Sequence, residues 1–417
     1  MNLISKRFSN DGIPVLELSE IQRKYIRIFN EKCRNGTYSF RNRKCECGNG
    51  DFETIAQKDR YGLPVNTVIC KNCGLIVTDP CLDDNSNNAF YDNEYPYIYR
   101  EETTPSDEHF EERKREASSI ISFIRKHTGI FDGNVLEIGC ADGGNVAAFC
   151  ENGYEASGID LSHTYVEYGI KKGLNLRCCN ASLAVADGIK YDLVILNQVL
   201  EHFTDIEREL TVIKELLKPE GCLFIAVPGI RFMTYGAYGA DFLHMLQNAH
   251  IYNFTKNTLC RILDQYGYEC IYSNEFIYST FRKSDHHKAY KNEYNDNMEY
   301  LRAVEKSNGD LRKLVFYRIE KLLSEYGNGD VLLYGTAMEL DSLVGQLHTL
   351  SPIRGFFYSD KKSCDDVSEY IRTSFKTQPV KCLILADSDQ NDALIDSLSH
   401  LIHDCGIDLY TIYGEVF

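Results

Sequence analysis

The apolar and polar positions of this chain change rhythm several times, and each rhythm predicts a different kind of element. Glu20 to Lys32 reads as a helical, partly basic segment, and Ser106 to Lys126 as a longer, charged helix. From residue 131 the text becomes α/β. Asn134-Val135-Leu136-Glu137-Ile138 is an apolar strand running into the turn Gly139-Cys140-Ala141-Asp142-Gly143-Gly144, and Asn145 to Asn152 continues as a helix. Ala156 to Ser162 predicts a second strand ending near Asp160, Cys179-Asn180-Ala181 the end of a third, and Tyr191 to Asn197 a fourth that enters a helix. Leu216 to Pro228 is a helix end, a Pro-Gly turn and a fifth strand. Further on, 330–337, 353–360, 380–387 and 408–413 read as parallel strands separated by helices, a second and smaller α/β segment. No internal repeat interrupts this order.

Composition narrows the picture. The chain has 417 residues, enough for two or three domains, with 43% apolar and 25% charged residues, as expected of a globular protein. Its net charge of −16 argues against broad binding to nucleic acid or anionic membrane. Met1 to Asn10 lacks an apolar signal region, and no uncharged apolar run of ~18 residues occurs. A cytoplasmic protein without membrane insertion is expected. In that setting the sixteen cysteines are reduced thiols or metal ligands rather than disulfides.

Four cysteines are spaced for a metal. Cys45-Glu46-Cys47-Gly48 and Cys70-Lys71-Asn72-Cys73-Gly74 are separated by twenty-two residues that read as β-strands, a zinc-ribbon pattern. Two Cys turns can present four thiolates tetrahedrally to Zn²⁺, and four ligands leave no open position, so the site is structural. The tyrosine-rich stretch Tyr91 to Tyr99 precedes the charged helix and is expected to be a loop that acts as a lid.

The glycine turn lets a backbone approach a ligand at a helix N-terminus, and Asp160 follows Gly139 by twenty-one residues, about the spacing of an acid that grips ribose hydroxyls. A dehydrogenase is the competing reading, but the loop lacks G-x-G-x-x-G spacing. In register, Glu137-x-Gly139-x-x-x-Gly143, Asp160, Tyr191-Asp192 through Glu201-His202, and Leu217-Lys218-Pro219-Glu220-Gly221 resemble the class I S-adenosylmethionine-dependent methyltransferases over about residues 120 to 275. The resemblance implies that Glu137, Gly139, Asp142 and Gly143 shape the methionine pocket. It further implies that Asp160 and Leu161 meet the ribose, Asn180 sits near adenine, and Asn197 and Glu201 close the site.

With a four-cysteine domain before the core and an α/β segment after it, residues 43 to 417 resemble the nucleotide-sugar C-methyltransferases of deoxysugar and surface-polysaccharide pathways. That resemblance implies a small-molecule substrate, a nucleotide-linked sugar, with S-adenosylmethionine and a structural zinc as cofactors. His250 aligns with the family's catalytic His, while Ala249 replaces its Glu partner. Carbon methylation needs a base to remove a proton α to a carbonyl, and His250, His202 and Tyr95 are the catalytic candidates. Oxygen methylation demands less and remains the alternative. So does a binding partner of a glycan-pathway enzyme that keeps the methyltransferase fold without activity. Gln198-Val199-Leu200-Glu201-His202 resembles the E-x-x-E-H metal site of some O-methyltransferases, with Gln198 in place of Glu. His244 is expected to pack or face substrate, His286-His287 to lie in a solvated connector, and His109, His127 and His163 show no partner in the sequence. The expected organisation is 1–42 helical extension, 43–85 zinc-binding domain, 86–130 Tyr-rich loop and helical lid, 131–275 methyltransferase core, 276–326 helical connector and 327–417 C-terminal Rossmann-like domain.

Overall fold

The computed structural model describes residues 3–99, 104–275, 277–345, 347–358, 364–374, 379–386, 398, 402 and 405–411. The chain forms two compact units, Met1–Phe232 with Phe242–Arg302, and Met233–Asp241 with Ala303–Phe417.

The first unit is built on a seven-stranded sheet: β1 (Asn134–Ile138), β2 (Glu155–Asp160), β3 (Leu176–Cys178), β4 (Tyr191–Asn197), β5 (Leu217–Ala226), β6 (Tyr268–Ser273) and β7 (Tyr278–Lys283). Their order is β6-β7-β5-β4-β1-β2-β3. Strands β1 to β5 pair in parallel, and β7 runs antiparallel between β5 and β6. Parallel strands covered on both faces favour apolar residues on both sides, which is why β1 carries Val135, Leu136 and Ile138 and β4 the run Leu193 to Leu196. Leu136, Ile138, Val194 and Leu196 enter one buried cluster, and Val135, Leu193 and Ile195 enter another with Ile120, Ile121 and Ile124 of the helix Asp107–Thr128. The order reverses at β1, between β2 and β4, so the crevice beyond their carboxyl ends is where a ligand fits.

Strand β7 lies past residue 275, where the sequence reading ended the core. Its polar and charged residues disguise it, because only its central Ser279, Thr280 and Phe281 are buried. The expected connector is helical from Tyr294 onward, in Tyr294–Ser307 and Leu311–Leu323.

A second sheet in this unit has the order Tyr252–Asn253, Ile76–Thr78, Pro64–Cys70, Phe52–Lys58, all antiparallel. The four-cysteine segment therefore does not close on itself, since its outer strand comes from the core chain just after His250. The helix Glu20–Arg34 starts with a capping box between Ser19 and Gln22. Its Phe29 packs with Phe90 and Ile98. The Tyr-rich stretch, expected as a loop, is helical in Asp84–Asn93 and Tyr95–Tyr99, because Phe90 and Ile98 need a face to bury. Residues 100–103, between that stretch and the helix Asp107–Thr128, lie outside the described residues.

The second unit holds a parallel sheet in the order Ile353–Tyr358, Val331–Gly335, Cys382–Leu385, Asp408–Thr411. The helices Ala337–Val344 and Cys364–Ser374 accompany it. The predicted strand ends at Ser359, Asp360, Asp387, Ile412 and Tyr413 lie outside the described residues. Among the described residues no helix is long and apolar enough to cross a membrane.

Candidate active site

At the end of β1 the chain turns through Gly139, at φ +76°, where a Cβ would stand 2.4 Å from Val199 Cγ2. Only glycine satisfies both the left-handed backbone and that close approach. Gly143, also left-handed, caps the helix Gly144–Glu151 with no side chain of its own. Asp160 fastens this turn to β2: its Oδ2 accepts from Ala141 N at 2.9 Å and its Oδ1 from Ser162 N at 2.7 Å. Each carboxylate oxygen keeps a lone pair for a further donor. Glu137 is buried; its Oε1 accepts from Asn145 Nδ2 at 2.7 Å, while Oε2 has no hydrogen-bond partner among the described residues. Burial pushes the Glu137 carboxyl up to about 7.

Asp142 is buried and accepts from Gly144 N at 3.2 Å, and its Oδ2 lies 2.9 Å from His109 Nδ1. The sequence shows no partner for His109. The contact runs from the first turn of the helix Asp107–Thr128 to the glycine turn, a long-range pairing with no local signal. Leu161 is 73% exposed beside Asp160, an uncovered apolar surface at the position expected to meet a cofactor. Asn180 uses its side-chain oxygen to cap the helix Ala181–Val185, accepting from Leu183 N at 3.0 Å. Asn197 ends β4, half-buried, and is followed by Gln198 at φ +59°. Ala141 is likewise left-handed, at φ +48°. Two such non-glycine residues, one after each of the neighbouring strands β1 and β4, mark a crevice under local strain.

Beyond Gln198 the segment Leu200–His202 carries Glu201 and His202, and the segment before Tyr252 brings His250 to them. Glu201 is 1% exposed, and both its carboxylate oxygens lack a hydrogen-bond partner among the described residues. Its Oε1 stands 3.8 Å from His202 Nε2 and 3.9 Å from His250 Nε2. Burial pushes Glu201 up to about 8 and holds His250 well below the usual histidine range. His202 Nδ1 lies 2.9 Å from the Ala249 carbonyl and 2.8 Å from Tyr91 Oη. A carbonyl only accepts, so Nδ1 carries the proton and Nε2 holds the lone pair. Ala249, which removes a side-chain carboxylate from this position, thus supplies a backbone carbonyl. His250 Nε2 is in contact with Gln247 Nε2, and Arg60 donates to Gln247 Oε1 at 3.1 Å.

Tyr95, the tyrosine singled out from the sequence, stacks on Tyr91 with ring centroids 4.5 Å apart and meets the His202 ring edge-on at 6.5 Å, while Tyr91 brings its hydroxyl to His202 Nδ1. Asp59, which sequence reasoning passed over, is fully buried and accepts from Asn248 N at 3.0 Å. With Arg60 it ties the turn after Phe52–Lys58 to the loop that carries His250. Among the other histidines, His244 is half-buried, His127 stacks on Tyr272, and His163 and His286 are exposed. His287 is exposed and pairs with the carbonyl of Asp264 at 3.0 Å.

The thiols of Cys45, Cys47, Cys70 and Cys73 all lie within 4.8 Å of one another, with Cys45 to Cys73 at 3.5 Å and Cys47 to Cys70 at 3.6 Å. Bonds of ~2.3 Å to a tetrahedral zinc would set sulfur–sulfur edges near ~3.8 Å, so this donor set fits that ion.

The sheet order, the glycine turn and the acid after β2 are the arrangement expected of a class I S-adenosylmethionine-dependent methyltransferase domain. Residues 109–273 match the methyltransferase-domain family. The chain is 30% identical over 122 residues to the ubiquinone biosynthesis O-methyltransferase of Brucella anthropi, an alignment covering 27% of this chain and 49% of that protein. It is 26% identical over 178 residues to the enzyme of the same name from an Azoarcus species, covering 39% and 76%. It thus spans about half the length of the first of these curated relatives. Among solved structures it is similar to the 1,6-didemethyltoxoflavin-N1-methyltransferase of Burkholderia thailandensis, with TM-score 0.37 and 20% identity, covering 51% of this chain and 96% of that one. A methyltransferase of Archaeoglobus fulgidus aligns with TM-score 0.31 and 20% identity, covering 39% and 73%.

Proposed function

We propose that this protein is an S-adenosylmethionine-dependent methyltransferase that methylates a nucleotide-linked sugar, at carbon, in surface-glycan or deoxysugar biosynthesis. One observation carries the reading: two imidazoles and a buried carboxylate meet beyond β4, and Val199, three residues before His202, lies against the glycine turn. A proton acceptor is thereby held beside the place where the cofactor fits.

Asp160, with lone pairs left on both oxygens, suits ribose hydroxyls. Glu137 Oε2, buried without a partner, suits a donor at the methionine end, and the missing Cβ of Gly139 leaves room between them. When bound, S-adenosylmethionine supplies a sulfonium methyl whose transfer discharges the positive sulfur. This chain's residues align the acceptor and take its proton. His202, with Nδ1–H fixed on the Ala249 carbonyl, offers the Nε2 lone pair, and His250, kept neutral by burial, stands beside it as the second base. The four-thiol cluster, read as a structural zinc site, stabilises the sheet whose outer strand follows His250, and Thr78 of that sheet donates to the His250 carbonyl at 3.1 Å. The sugar assignment rests on the resemblance of the whole arrangement, cysteine segment, core and C-terminal parallel sheet, to the nucleotide-sugar enzymes.

Oxygen methylation is the second reading, favoured by the relatives, whose names describe O-methyltransferases. The test is mass spectrometry of products from purified enzyme, S-adenosylmethionine and a panel of nucleotide-4-keto-sugars and nucleotide-sugars in deuterated water. A product heavier by one methylene with exchange or loss of the α-proton establishes carbon methylation, and the same gain without it establishes oxygen. Cofactor binding with no methylated sugar anywhere in the panel overturns the sugar reading.

A further inference from the structure

We propose that Arg60 is a positioning residue of the catalytic end: through the Gln247 amide it keeps a lone pair on His250 Nε2. Three groups with fixed donor rules stand in line. A guanidinium only donates, so the Gln247 atom 3.1 Å from Arg60 Nη2 is the amide oxygen. The amide nitrogen is thereby turned to the ring and meets His250 Nε2. An amide NH₂ also only donates, so Nε2 accepts and the ring proton sits on Nδ1. Without the guanidinium the amide is free to turn over, present its oxygen to the ring and draw the proton to Nε2. No lone pair would then be left there for a substrate proton.

Arg60 comes from the cysteine sheet, just after the strand Phe52–Lys58, and lies 187 positions from Gln247. Its own N–H donates to the Leu246 carbonyl at 3.0 Å and its Nη1 to the His244 carbonyl at 3.2 Å. Asp59 accepts from Asn248 N at 3.0 Å and from Tyr61 N and Leu63 N at 2.9 Å each, which fixes the turn to the same loop. These bonds already anchor the loop; the bond from Nη2 to the Gln247 side chain is the one that reaches the ring. The charged and titratable groups facing His250 are Glu201, 3.9 Å from Nε2, His202, with ring centroids 4.9 Å apart, and Arg60 beyond the amide. Burial, His202 and the Arg60 cation all disfavour a second positive charge on this ring, so water does not fill the lone pair. The neutral amide marks that lone pair without protonating it and gives way when the acceptor's proton arrives, which preserves His250 as a base.

The role of Arg60 rests on the reading of His250 as a base, whereas its test needs no methyl acceptor, so a failed sugar panel and a wrong tautomer are separate results. Long-range ¹H–¹⁵N correlation spectra are recorded on the full chain, zinc-loaded and ¹⁵N-labelled at histidine, with His250 assigned by its loss in His250→Gln. Wild type should show His250 as a single tautomer, Nδ1 protonated and Nε2 bare. Arg60→Met removes the donors and should lose that signature, with Nε2 shifted towards the protonated position; Arg60→Lys, again a donor-only cation, should restore most of it. Gln247→Glu offers only acceptors and should move the proton to Nε2 with Arg60 still in place. Thermal melts show which variants fold, and if Arg60→Met does not, Gln247→Glu decides. Wild-type His250 protonated at Nε2 overturns the proposal. So does the wild-type tautomer in folded Arg60→Met or in folded Gln247→Glu.

Discussion

Tyr91 Oη lies 2.8 Å from His202 Nδ1, which joins the helix Asp84–Asn93 to the catalytic end of β4. The Nδ1 proton is shared between this hydroxyl and the Ala249 carbonyl, so the phenol steadies the ring without removing its tautomer. Loss of one such neutral hydrogen bond is worth about 1 kcal/mol, or roughly a fivefold change. Tyr91→Phe should lower kcat by about that factor and leave cofactor affinity unchanged. Tyr95→Phe should have the smaller effect, and steady-state kinetics of the two variants side by side checks the order.

Asp160 holds two backbone amides and leaves lone pairs for ribose hydroxyls. Asp160→Ala strips Ala141 N and Ser162 N of their acceptor and removes the ligand contacts as well. At about 1.5–3 kcal/mol for hydrogen bonds to a charged group, S-adenosylhomocysteine should bind on the order of 10- to 100-fold more weakly. Calorimetric titration measures this directly, and an unchanged Kd would place the cofactor elsewhere.

Gly139→Ala meets two penalties at once, a left-handed backbone and a Cβ only 2.4 Å from Val199 Cγ2. The variant should lose about 2 kcal/mol or more of stability. The double variant Gly139→Ala with Val199→Ala should recover the steric part and keep the backbone part, which thermal unfolding of the three proteins separates.

Much of this architecture is legible in the sequence because its signals are local. Val135, Leu136 and Ile138 in Asn134–Ile138 run into a glycine turn, so both the buried parallel strand and the ligand loop are written in about ten residues. The cysteine pairs are similarly self-declaring. What escapes the sequence is pairing across distance. Tyr252–Asn253 completes the cysteine sheet by pairing with Ile76–Thr78, and nothing in two residues announces a strand. Asp142 and His109 meet because a helix begins over the glycine turn. The Tyr91 hydroxyl reaches His202 because the stretch folds as helices, a choice made by the burial of Phe90 and Ile98.

Removal of one thiol should be felt at the catalytic end. Cys70 ends the strand Pro64–Cys70, whose sheet reaches Tyr252–Asn253 and, through Thr78, the His250 carbonyl. Cys70→Ser should abolish zinc binding, lower Tm and depress kcat together. Chelation of wild type should reproduce all three, and zinc analysis beside thermal melts detects any dissociation between them.

Glu137 makes the folding stability depend on pH in a direction opposite to that of most carboxylates. Its carboxyl is raised to about 7 in the fold by burial, against 4.5 for the free group. Between those values the folded protein holds a proton that the unfolded chain has released. Its contribution is therefore complete below pH 4.5 and disappears as pH rises to about 7, a change of a few kcal/mol. Glu137→Gln keeps an acceptor for Asn145 Nδ2 and has no proton to lose. Urea denaturation of cofactor-free wild type and variant should show wild type losing ground to the variant between pH 5 and pH 8. Parallel curves across that range would mean that Glu137 ionises normally despite being 2% exposed, and that the empty lone pairs of Oε2 meet water rather than a dry pocket.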